Sequence, residues 1–111
     1  MDHLEPGRKR WIDWLNDEDL AFVKRFILCS GSLKDLAQLY EVTYPTLRIR
    51  LDRLIEKIKV FENQEITDEY EKLLRGFYVD GKIDAQTFKQ LHSAYQQQAQ
   101  ANAANKRNRA V

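Results

Sequence analysis

Arg48, Arg50 and Arg53 fall within six residues of one another in a stretch, Ser32 to Ile58, that reads SLKDLAQLYEVTYPTLRIRLDRLIEKI. Guanidinium groups on one outward helix face can each donate twice to a guanine edge or to a phosphate. The neighbouring outward positions are Tyr44, Pro45, Thr46 and Ile49, and Thr or Ile can meet a thymine methyl group. Arg53 and Lys57 lie further along the same helix, where phosphate contact is expected. Ser32 and Lys34, at the start of the preceding helix, are candidate phosphate clamps, and Thr43 caps the helix that carries the arginines. This is the chemistry of duplex DNA reading by a helix-turn-helix.

Other chemistries fail on spacing or context. His3 sits in a loose N-terminal stretch and His92 is isolated on a late helix, so no Ser/His/Asp set assembles. Asp80-Gly81-Lys82-Ile83-Asp84 sounds like a calcium loop. Setting Gly81 as its central glycine places Gly76, Tyr78 and Thr87 at ligand positions, and none of these supplies a carboxylate. Cys29 is the only cysteine, which leaves no disulfide framework and no Cys-based zinc site. The chain is therefore expected to be neither an enzyme nor a metalloprotein, and to need no cofactor.

The elements that would position the arginines are helical. Gly and Pro are scarce and period-two alternation is rare, so an all-α fold is expected. Asn16 or Asp17 can cap a first helix whose Leu20, Phe22, Val23, Phe26 and Ile27 recur at helical spacing until Ser30 and Gly31 end it. Ser32 caps the second helix, with Asp35 as a weaker stand-in for a capping-box Glu, and Leu33, Leu36, Ala37 and Tyr40 on its buried side. Small Ala37 lets two helices cross closely. Glu41 and Val42 make the turn. A Gly is the usual occupant at Glu41, so the turn requires a left-handed residue that carries a side chain. Pro45 is tolerated in the first turn of the third helix, and Leu47, Leu51, Leu54, Ile55 and Ile58 form its core stripe.

Residues 61–65 read as a linker and Thr67 as the cap of a fourth helix ending near Tyr78. Asp84 caps a fifth helix running to about Gln96, and these two helices form a hairpin. Residues 1–16 read as an arm with a basic cluster at Arg8, Lys9 and Arg10. Residues 97–111 read as fraying helix and then disorder, with a basic tip at Lys106, Arg107 and Arg109. The expected organisation is an arm (1–16), a helix-turn-helix domain (17–60), a hairpin (66–96) and a tail (97–111).

Net charge is only +1, but it is unevenly spread. From Tyr44 to Lys59 five bases face two acids, and from Phe61 to Asp84 seven acids face three bases. One basic face on a near-neutral chain binds DNA only weakly unless dimerisation doubles the contacts, so a homodimer or higher homo-oligomer is expected. No apolar run approaches the roughly 20 residues of a membrane span, and the N-terminal basic cluster lacks a hydrophobic segment after it. A cytoplasmic location without membrane insertion follows.

The run DLAFVKRFILCSGSLKDLAQLYEVTYPTLRIRLDRLIEKI resembles the helix-turn-helix half of a bacterial family of uncharacterised proteins, most specifically over Val42 to Arg48. In that family a zinc ribbon usually precedes the segment, and the helix-turn-helix is similar to the promoter-reading fourth region of sigma factors. The ribbon is absent here, so no metal role carries over. Residues 66–95 resemble the bacterial short C-terminal domain, a two-helix hairpin that implies oligomerisation or partner binding. The resemblance implies a DNA-binding transcription regulator of bacterial or phage type. The competing expectation is a protein adaptor that docks a transcription or stress-response partner through the helix-turn-helix and hairpin.

Overall fold

The computed structural model describes residues 9–66 and 68–109, the last three by their backbone alone. Among these residues the fold is all-α. A short 3-10 turn (Trp11–Trp14) leads into α1 (Asp17–Leu28), α2 (Leu33–Leu39), α3 (Tyr44–Glu62), α4 (Glu69–Val79) and α5 (Ala85–Arg109).

Each of the first three helices begins on a residue that answers an orphan N–H. Asn16 Oδ1 accepts from the Asp19 amide at 2.8 Å, Ser32 Oγ from Asp35 at 3.1 Å, and Thr43 Oγ1 from Thr46 at 3.4 Å. Asp19 completes a capping box by accepting from the Asn16 amide. The helix ends are just as regular. After α1, α2 and α4 the chain turns through Ser30 (φ 54°), Glu41 (φ 56°) and Gly81 (φ 76°). In each case the next amide reaches back to a carbonyl five residues earlier: Gly31 to Phe26, Val42 to Ala37 and Lys82 to Phe77, all at 3.0 Å. These are Schellman closures. The left-handed residue that the turn after α2 requires is Glu41 itself.

The core is built from Leu15, Phe22, Leu36, Ala37, Leu47, Leu54 and Phe61, with Leu36 fully buried. Trp11 and Trp14 pack against this cluster, and Trp14 stacks on Phe61 with centroids 5.5 Å apart. Residues 11–15 are thus part of the globular unit, not of a loose arm. Phe61 belongs to α3, which continues through Glu62, so the expected linker begins two residues later than its sequence implies. Basic Arg8 and the rest of residues 1–8 lie outside the described residues, as does Thr67. Asp68 caps α4, accepting from the amides of Tyr70 and Glu71.

The hairpin docks on the C-terminal half of α3. Gly76 faces the Phe61 ring so closely that an added Cβ would stand 2.8 Å from it. Lys72 Nζ donates to the Phe61 carbonyl at 3.1 Å. Between α4 and α5, Tyr70 stacks on Tyr95 and Tyr78 packs at a tilt against Phe88, while His92 Nε2 meets Glu71 Oε1 at 3.0 Å. Beyond Gln96 the chain remains helical to Arg109, where a disordered tail is expected from its low complexity. Residues 85–109 contain no Gly or Pro and are rich in Ala and Gln, which favour helix without help from packing. The projecting helix gives a radius of gyration of 18.2 Å, against about 13 Å for a compact chain of this length. The side chains of Arg107 and Arg109 lie outside the described residues.

Candidate nucleic-acid interface

The second and third helices form the expected helix-turn-helix. Leu47 and Leu54, 1 % and 6 % exposed, fix α3 on the core, and its first turns project from it. Thr43, Tyr44, Pro45, Thr46, Arg48 and Ile49 are all exposed there. Tyr44 and Ile49 are 52 % and 57 % exposed, large values for apolar side chains on a small fold. The Thr43 hydroxyl is already engaged, donating to Thr46 Oγ1 at 3.0 Å while it caps the helix. Ser32 is half-buried and likewise committed to its cap, whereas Lys34 is exposed on the first turn of α2.

The cations divide into three kinds. Arg48 is exposed and pairs with Asp52 one turn on, at 3.3 Å. Such an exposed pair contributes little and opens readily. The Arg50 guanidinium lies over two rings, 4.7 Å from Tyr40 and 5.1 Å from Phe22. Tyr40 also accepts from Arg25 Nη1 at 3.1 Å. Arg50 therefore ties α3 to α1 and α2 while keeping an exposed edge. Arg53 is exposed and lines the grooves on either side of it.

Lys57 belongs to neither the surface nor a phosphate. It is 3 % exposed, and its Nζ bonds Asp19 at the start of α1 and Asp80 at the end of α4, the latter at 2.8 Å. Burial alone would lower its pKa, but the hydrogen bonds and charges of the two carboxylates more than offset this and raise it. The expected DNA contact at Lys57 is corrected to an internal ion triad joining α1, α3 and α4. Lys57 lies on the helical stripe of Thr46, Arg50 and Arg53, and the fold covers that stripe only at its far end.

Two grooves flank the projecting helix. One, of about 410 Å³, runs between Thr46, Arg50 and Arg53 of α3, Glu18 of α1, and Asp80 and Lys82 of the α4–α5 turn. The other, of about 730 Å³, lies between Ile49, Asp52 and Glu56 of α3 and Tyr78 and Val79 at the end of α4 with Ile83 of the turn. The hairpin turn thus borders the outward face of α3 beyond Ile49 and leaves its first turns open. Sequence reasoning missed Lys82 and Glu18 in this setting; the Asp80-Gly81 turn signal was visible, but not the helix it would stand beside. Among the described residues no group of three or more His, Cys, Asp or Glu side chains is arranged to hold a metal ion. No described helix is long and apolar enough to cross a membrane.

Residues 15–61 match the model of a family described as Domain of unknown function (DUF2089)-HTH. The match begins at Leu15 and ends at Phe61, both core residues, and so coincides with the packed helix-turn-helix unit. None of the curated proteins and none of the solved structures matches the chain.

Proposed function

We propose that this protein binds duplex DNA through the first turns of α3 and acts as a small transcriptional regulator in the cytoplasm, without catalysis. The observation that carries the reading is the exposed group Tyr44, Thr46, Arg48 and Ile49, held outward on a helix whose other side is anchored by Leu47 and Leu54. Exposed apolar side chains beside a guanidinium suit a major-groove edge, where thymine methyls adjoin guanine acceptors. Arg53 and Lys34 suit phosphates, and Arg50, braced on Tyr40, suits a positioning contact. The resemblance of this segment to the promoter-reading region of sigma factors supports the same assignment, as does the family description.

One such helix on a chain of net charge +1 gives few phosphate contacts, so the active species is a homo-oligomer. The hairpin offers a surface for it. Tyr70, Leu73 and Phe77 recur along one side of α4 and are 44 %, 44 % and 39 % exposed. The same stripe favours a second reading, a protein adaptor whose partner covers it.

Fluorescence anisotropy of labelled duplex at two salt concentrations separates these readings. DNA binding through phosphates weakens steeply with salt, and Arg48→Ala should cost about 1–3 kcal/mol on a selected site and relax base preference there. Absence of binding at low salt by the folded protein would refute the DNA reading and leave the adaptor.

A further inference from the structure

We infer that the α4–α5 turn is a second part of the DNA interface, with Lys82 contacting a phosphate and the Lys57–Asp19–Asp80 triad holding the turn in register. The inference rests on the DNA-binding reading above and extends it beyond the segment that matches the family model.

The argument begins with widths. A helix with its side chains is about 10–12 Å across, and the major groove of B-DNA is about 12 Å wide. A helix seated there fills the groove, so whatever flanks it stands over a phosphate ridge. On the Arg53 side of α3 the flanking element is the α4–α5 turn, since Thr46, Arg50 and Arg53 share one groove with Lys82. The second groove has Tyr78 and Val79, at the end of α4, and Gly81 and Ile83 of the turn opposite Ile49. The turn therefore limits insertion to the first turns of α3, and it meets the backbone strand when they enter.

Charge and rigidity fit that role. Of the acids in the first groove, Asp19 and Asp80 are both taken up by Lys57. Glu18 has no ion-pair partner among the described residues. Facing it are Arg50, Arg53 and Lys82. Lys82 is exposed and rests its Nζ 5.5 Å from the Phe77 ring, a perch that is easily exchanged for a phosphate. The turn itself is closed by the Lys82-to-Phe77 backbone bond and fixed to α3 through Asp80 and Lys57. A contact carried on so constrained a turn loses little freedom on binding.

The test is anisotropy of the full chain with a random-sequence duplex over a salt series, comparing Lys82→Gln, Glu18→Gln and Arg48→Ala with the parent. Loss of one phosphate contact should reduce the slope of log K against log salt by about 0.9. It should weaken binding roughly five- to tenfold at about 0.1 M salt. Removing the Glu18 charge should strengthen binding under the same conditions. If the parent binds and Arg48→Ala weakens it, while Lys82→Gln keeps the parental slope and affinity, the turn is not part of the interface and the reading helix stands alone. If the parent does not bind at low salt, both the reading and this extension fail.

Discussion

Replacing Lys57 with methionine keeps the packed aliphatic stem and removes the cation that, among the described residues, pairs with both Asp19 and Asp80. The Lys57 side chain is 4 % exposed, and those of Asp19 and Asp80 are 16 % and 20 % exposed. Removing one member of a fully buried pair costs about 3–5 kcal/mol, chiefly because the other charge is left without a partner. Here two carboxylates are stranded together, but each retains a route to water, so the expected loss is about 2–4 kcal/mol. That is a large part of the roughly 5–15 kcal/mol typical of a domain. Urea denaturation followed by far-ultraviolet circular dichroism measures it, provided the slope with denaturant is unchanged. The sign with pH can be worked out. The Lys57 pKa is raised above the ordinary lysine value, so the triad's contribution is present below that value and is lost only as pH rises through the higher folded one. A loss under about 0.5 kcal/mol at neutral pH would refute the reasoning, because that is the scale of an exposed pair.

Two further outcomes are expected. Glu41 holds φ at 56°, a region that disfavours side chains, so Glu41→Gly should raise stability by up to about 1 kcal/mol in a thermal melt; a lower melting temperature would show that the Glu41 side chain itself is needed. Arg75, and then His92, hydrogen-bond Glu71 and hold its carboxyl below the usual range against the opposing effect of burial, and the Tyr95 hydroxyl does the same for Asp68. Depressed carboxyls contribute stability above their unfolded values of about 4, and lose it as pH falls through the lower folded ones. Tyrosine signals from the Tyr70–Tyr95 stack should therefore be constant from neutral pH to about pH 5 and change below about pH 4. A transition centred near pH 6 would refute the assignment of the hairpin's acid response to these two carboxyls.

What the sequence revealed and what it concealed differ in range. The caps at Asn16, Ser32 and Thr43, the stop at Ser30 and the left-handed turn at Glu41 depend on bonds spanning five residues or fewer, and each is written where it acts. The outward set Tyr44, Thr46, Arg48 and Ile49 was legible for the same reason, since helical period alone separates it from Leu47 and Leu54. Phe61 was misplaced because the polar run of residues 62–65 follows it directly. Its partners, Trp14 and Gly76, lie elsewhere in the chain and only the fold brings them together. The helix past Gln96 was hidden by composition, since low complexity reads as disorder even when Ala and Gln favour helix.

Lys57 joins these two lessons to function. On a helical wheel it continues the stripe of Arg50 and Arg53, and nothing local marks it as different. Its partners lie 38 and 23 residues away in the chain, on elements that meet only when the hairpin docks. A surface lysine could have been lost with little consequence for the fold. Buried between Asp19 and Asp80, it makes the position of the α4–α5 turn depend on the same helix that projects Arg48 and Ile49. The hairpin is then not a separate appendage, because one side chain of α3 sets where its turn stands. Any change that loosens Asp80 must also alter the groove in which Lys82 faces Arg50 and Arg53. In this fold the geometry of the exposed cations is a property of the whole chain, although their identities can be read from a single helix.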